Sequence, residues 1–142
     1  MAAPPVKGQS QEKPESELRV ALAGFIRAFD DLDWDHFRLT FLDDATVFYP
    51  REMPRRATGR AEFETGFRRV FEQIRAGRTT PPYMDIRPRS LKVQVLGDTA
   101  IVTFHLDDRR GFVNRRTMLW KRTERGWKIA HLHASEVAVA QP

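Results

Sequence analysis

The run Gly126-Trp127-Lys128-Ile129-Ala130-His131-Leu132-His133-Ala134-Ser135 constrains the fold more than any other part of the chain. It follows a tight turn, Glu124-Arg125-Gly126, where glycine supplies a backbone angle that other residues resist. Successive side chains of a strand point to opposite faces. Regular alternation puts Trp127, Ile129, His131, His133 and Ser135 on one face and Lys128, Ala130, Leu132 and Ala134 on the other. Both faces are apolar or small at the centre, which predicts a central strand covered on both sides. Two imidazoles and a hydroxyl on a buried face then need hydrogen-bond partners.

Three further strands lead directly into it. Leu91, Val93 and Val95 alternate with polar neighbours, and Gly97-Asp98 turns the chain into a strand over 99–106. Asp107 to Gly111 turns it again, into a strand over 112–122 centred on Met118, Leu119 and Trp120. Short turns predict antiparallel neighbours, so these four strands form a meander.

Helical patterns come first in the chain. Leu18, Leu22, Phe25, Phe29 and Leu32 recur at helical spacing, with Glu15 and Glu17 near the positive end of the helix. A second helix from Asp33 shares Trp34, Phe37, Phe41 and Leu42 on one side and ends at Asp43-Asp44. A short strand over 45–49 stops at Pro50. After a polar loop, Thr58 is the expected cap of a third helix carrying Phe63, Phe67, Val70, Phe71 and Ile74, with Gly77 as its stop. The stretch 1–13 has almost nothing to bury and is expected to be a flexible tail, with one domain over 14–138. Helices first and strands later predict an α+β fold, with helices against one face of a curved sheet.

Composition narrows the function classes. Without cysteine there are no disulfides, thiolate metal sites or cysteine nucleophiles, which is compatible with a cytoplasmic protein. The net charge of +5 comes from 24 Lys+Arg against 19 Asp+Glu, scattered rather than gathered on one segment, so nucleic acid is not the expected partner. No apolar run approaches a membrane span, and no signal-peptide core is evident.

Three segments carry a family resemblance: Asp43-Asp44-Ala45-Thr46-Val47-Phe48-Tyr49-Pro50, Leu96-Gly97-Asp98-Thr99-Ala100, and Trp120-Lys121-Arg122 leading into Gly126-Trp127-Lys128 and His131-Leu132-His133-Ala134-Ser135. Over roughly 16–137 the chain resembles the nuclear transport factor 2-like superfamily, in particular its SnoaL-like members. It is also similar to the association domain of calcium/calmodulin-dependent kinase II. The resemblance implies a cone-shaped α+β fold, a hollow between helices and sheet, and a homodimer. That fold hosts isomerases, cyclases, hydrolases and assembly modules, so it implies no single activity.

Carried over position by position, the resemblance puts Tyr49, Phe25 and Met118 where ketosteroid isomerase has its base and two acidic donors. Phenylalanine and methionine cannot donate, and a free tyrosine titrates near ~10. Ketosteroid isomerase activity is therefore not expected. His105, Met118 and Ala134 stand where the kinase domain's pocket has arginines. The implied pocket comprises Phe25, Tyr49, Phe67, Thr103, His105, Arg116, Met118 and Trp120, and would take an apolar small molecule. His105 and Tyr49 are its candidate catalytic groups, although the preferred reading of His105 is a hydrogen-bonded core histidine or a polar residue lining an unused hollow. Trp127, His131, His133 and Ser135 are expected at a dimer contact. His131 and His133 have the spacing of metal ligands, but His105 lies two strands away, ~9–10 Å at the usual separation, so neither metal nor cofactor is expected. Two functions stay open: a small-molecule pocket protein, or a non-catalytic association or ligand-binding module.

Overall fold

The computed structural model describes residues 7–51, 53–107 and 111–139. Helix α1 spans Lys7–Asp30 and α2 spans Trp34–Leu39. Strand β1 (Phe41–Phe48) and the short β2 (Ala57–Thr58) follow, then helix α3 (Arg60–Gly77). The last four strands are β3 (Arg89–Leu96), β4 (Thr99–Asp107), β5 (Phe112–Thr123) and β6 (Gly126–Ala138).

The six strands form one sheet in the order β2-β1-β6-β5-β4-β3. From β3 to β6 it is the expected antiparallel meander. The sheet as a whole is mixed, because β1 lies parallel to β6 while β2 returns antiparallel on β1. The three helices pack on this curved, unclosed sheet, which makes the fold α+β.

Several boundaries differ from the sequence pattern. Helix α1 starts at Lys7 and runs through Pro14, so residues 7–13 of the expected tail are helical, and residues 1–6 lie outside the described set. Gln9 to Lys13 are mostly adequate helix formers, and proline removes one backbone donor without closing off the preceding turn here. Helix α2 stops at Leu39 instead of Asp43. Thr40 caps it by donating its backbone N–H to Phe37 O, and the chain then enters β1 directly. Phe41 is buried as expected, but from a strand. Thr58 belongs to β2. The cap of α3 is Gly59, at φ 84, a region open to glycine at little cost. Its N–H donates to Ala45 O at 2.9 Å, which ties α3 to β1.

The main correction concerns β6. Leu119 on β5 lies opposite His131, and Trp120 lies opposite Ile129, so Ala130 is an extra residue. This is a β-bulge, and it reverses the face pattern beyond it. Trp127 and Ile129 are buried together with Leu132 and Ala134, while His131, His133 and Ser135 turn to the opposite face. The single histidine-bearing face expected from strict alternation therefore does not form.

The core is aromatic. Phe37 sits at its centre, 4.8 Å from both Phe67 and Phe71 and 5.2 Å from Phe25, by ring centroids. Phe41 bridges Phe37 at 5.4 Å to Phe63 at 5.0 Å. The tilted and edge-on angles among most of these rings match the preference set by the aromatic quadrupole. At the corner between α2, α3 and β1, the Arg60 guanidinium meets Asp43, Glu64 and the Phe41 carbonyl, and Arg38 meets Glu64 from the other side.

Candidate functional site

The structure places Phe25, Tyr49, Phe67, Met118 and Trp120, five of the residues named for the pocket, together in the core between helices and sheet. They are packed shut. Met118 and Trp120 are 0% exposed, so no water-sized void adjoins them. Phe25 meets Trp120 edge-on at 6.3 Å, and Tyr49 meets Phe67 at 5.0 Å. The Tyr49 hydroxyl donates to Phe63 O at 2.7 Å. Gly66 makes this approach feasible, since a Cβ there would lie 2.5 Å from that hydroxyl oxygen. The three positions carried over from ketosteroid isomerase thus serve as core.

Thr103 and His105 are not in this interior. On β4 the buried side chains are Ala100, Val102 and Phe104, so the alternate set, Ile101, Thr103 and His105, faces the other way. Both faces of this strand carry apolar residues, and the more apolar one turned inward. His105 is exposed, with Arg89 and Arg115 as its cross-strand neighbours.

Polar groups collect at one end of the inner face. Counting from Leu132 and Ala134 places Glu136 on the inner side, and its side chain is only 11% exposed. Arg51 grips it with two nitrogens, Nε to Oε1 and Nη2 to Oε2, the latter at 2.6 Å. The same guanidinium lies 5.3 Å over the Phe112 ring, an arrangement favoured by the ring's negative face. Asn114 is the register partner of Glu136, and the half-buried Arg116 donates to Asn114 Oδ1 at 3.5 Å. Of these, sequence reasoning found only Arg116. Glu136 and Arg51 were missed because their pairing joins residues 85 positions apart, and Asn114 although it shares the strand parity of Arg116.

The outer face carries the remaining candidates. His131 Nδ1 and Thr46 Oγ1 share a 2.7 Å hydrogen bond. Phe48 lies against both imidazoles, 5.8 Å from His131 and 5.1 Å from His133, and the two imidazoles are 6.5 Å apart. Arg115 donates to Ser135 Oγ at 3.2 Å. Burial pushes the His131 imidazole below its ordinary pKa, and His133 and Arg56 push the same way against the contact with Thr46. Trp127, expected here, is instead buried beneath α1, and its indole Nε1 has no protein partner. Among the described residues, no three His, Asp or Glu side chains gather as metal ligands.

A groove of about 690 Å³ runs outside the cone, between α1, the end of α2 and the start of β6. Ala21, Gly24, Phe25, Ala28 and Trp127 line it, with Asp33 and His36 joined at its edge by a 2.5 Å ion pair. No described helix is long and apolar enough to cross a membrane. Many of the arginines are paired with carboxylates, among them Arg19, Arg38, Arg60, Arg87, Arg89 and Arg122.

Among solved structures the chain is similar to a nuclear transport factor 2 (NTF2)-like protein of unknown function from Pseudomonas putida KT2440. The TM-score is 0.72 at 21% identity, over 92% of this chain and 97% of that one. A cystatin-like fold protein from Burkholderia xenovorans LB400 gives 0.70 at 18%, over 93% and 96%. The association domain of C. elegans CaMKII gives 0.64 at 16%, over 91% and 99%. At such identities the likeness is one of fold. No curated protein matches the chain. The SnoaL-like domain profile matches residues 18–140, from the first buried leucine of α1 to beyond β6. The chain belongs to the SnoaL-like domain family.

Proposed function

We propose that this chain is a self-associating SnoaL-like domain whose outer sheet face pairs with a second copy. The observation that carries the reading is that all three helices cover one face, while the other presents Phe48, Leu119, Ile101, His131 and His133 around a row of threonines. The five long strands average about ten residues, so the face measures roughly 30 Å by 20 Å at ordinary rise and spacing. That is roughly 600 Å² in projection, before side-chain relief, against about 800 Å² per partner in a standard interface. A patch of this kind, left open by the helices, is suited to a twofold pairing, in which both copies use the same surface. The similar CaMKII domain bears the name of an association domain, which agrees with this reading. The cysteine-free sequence fits a cytoplasmic site of action.

The test is sedimentation of the full chain beside Leu119→Asp. Leu119 is 36% exposed on the outer face, so the substitution should leave the circular dichroism unchanged and convert a dimer to a monomer. A wild-type chain that stays monomeric at every concentration reached sinks the proposal.

A second reading is favoured by the Arg51–Glu136–Asn114–Arg116 cluster. A few polar groups at the edge of an apolar interior are the usual form of a small-molecule site. Glu136, rather than His105 or Tyr49, is then the group that meets the ligand. Screening fragments by amide NMR should give shifts centred on Asn114 and Glu136 that weaken in Glu136→Gln. Hits confined to the groove beside α1 would remove this reading.

A further inference from the structure

The outer face carries two imidazoles where an apolar dimer contact would carry aliphatic side chains. Resting on the proposed pairing through that face, we propose that the His131–His133 pair makes self-association pH-sensitive, with acid releasing the two copies.

The geometry is specific. His131 and His133 stand two residues apart beyond the bulge, on the strand next to β1. Thr46 fixes the His131 ring through Nδ1, and Phe48 packs against both rings. Across the β5 side, His131 faces Leu119 and His133 faces Thr117. None of these neighbours offers a negative charge to an imidazolium. The wider surroundings are mainly basic: Arg56 ahead of β2, Arg115 and Lys121 on β5, and His105 one strand further on β4, against exposed Asp44 on β1. The charges that act on His131 are those of His133 and Arg56, and both oppose its protonation.

A second copy laid on this face removes water from both rings and brings two further imidazoles to the same patch. Desolvation and like charge each disfavour the protonated form. The dimer therefore binds protons more weakly than the free copy, and linkage requires that protons favour the free copy. The sign is set: association is strongest with both rings neutral and weakens as the pH falls through the free-chain histidine range. If each copy must release one proton, an imidazole at the ordinary ~6.5 would raise the dissociation constant about 100-fold between pH 7.5 and 5.5, and the lowered pKa of His131 makes that an upper bound.

The experiment is analytical ultracentrifugation of the full chain at pH 7.5 and 5.5, with far-ultraviolet circular dichroism at both. The expected result is a dimer whose dissociation constant rises severalfold in acid, and by no more than about two orders of magnitude, with the spectrum unchanged. In His131→Gln/His133→Gln the ratio of the constants at the two pH values should fall to about one, whatever the constant at pH 7.5, since glutamine keeps a donor for Thr46 without gaining charge. His133→Gln alone perturbs the fold least, because that ring is exposed, and it should retain a smaller pH response. A wild-type dimer with equal constants at both pH values overturns the inference and leaves the dimer reading intact. So does acid dissociation that persists in the double variant, or loss of the folded spectrum at pH 5.5. A wild-type monomer at pH 7.5 overturns the dimer reading, and this inference with it.

Discussion

The Tyr49 hydroxyl reaches the Phe63 carbonyl because α3 carries glycine at position 66. A Cβ there would lie 2.5 to 2.9 Å from three atoms of the Tyr49 ring and hydroxyl, closer than any real contact. Gly66→Ala must therefore displace the ring and lose its hydrogen bond. Overpacking of this kind costs about 1–3 kcal/mol and the lost hydrogen bond about 1 kcal/mol more, against about 1 kcal/mol gained in helix propensity, so a net loss of about 1–3 kcal/mol is expected in urea unfolding. Tyr49→Phe alone should cost about 1 kcal/mol and should only partly relieve Gly66→Ala, because ring carbons at 2.6 and 2.9 Å remain in the way. A Gly66→Ala protein as stable as the parent would contradict this account. At this scale the sequence was informative wherever chemistry and spacing agreed. Phe25, Phe67, Met118 and Trp120 are interior residues as their patterns predict. His105 was misplaced because β4 has two faces of similar polarity, and a one-residue slip exchanges them.

At the scale of elements, the bulge at Ala130 decides which side chains the longest strand offers to each face. Without the extra residue, Ile129 would be followed directly by His131, and ordinary alternation would give the faces now observed. Deletion of Ala130 should therefore be tolerated, at a cost within about 3 kcal/mol, with the β5–β6 pairs on either side kept in register. Deletion of Thr117 from β5 lacks any such compensation. It turns one flank of that strand inside out and should abolish the cooperative thermal transition. An unfolded Ala130 deletion, or a folded Thr117 deletion, would show that the bulge is not what sets the faces. The elements themselves were legible from hydrophobic period and turn residues. The bulge was not, because alanine carries no mark of an unpaired position. The α2–β1 boundary was obscured for a related reason: Phe41 is buried by either assignment, so burial alone cannot separate helix from strand.

At the scale of the whole molecule, the layer arrangement was readable from the order of helices and strands, and the meander from its short turns. The joining of β1 to β6 was not, because no local signal connects residues so far apart in sequence. The Arg51–Glu136 pair is a product of the same distant joining and escaped notice with it. Thr46 and His131, which touch across that seam, are 85 positions apart. During synthesis, β1 leaves the ribosome long before the strand it must lie beside. Until β6 arrives, nothing joins β1 to β5, and the phenylalanines of α1, α2 and α3 meet only an incomplete sheet. Long-range pairing of this kind slows folding and prolongs the exposure of sticky intermediates. The nascent polypeptide therefore carries these aromatic faces uncovered for as long as β6 remains unmade.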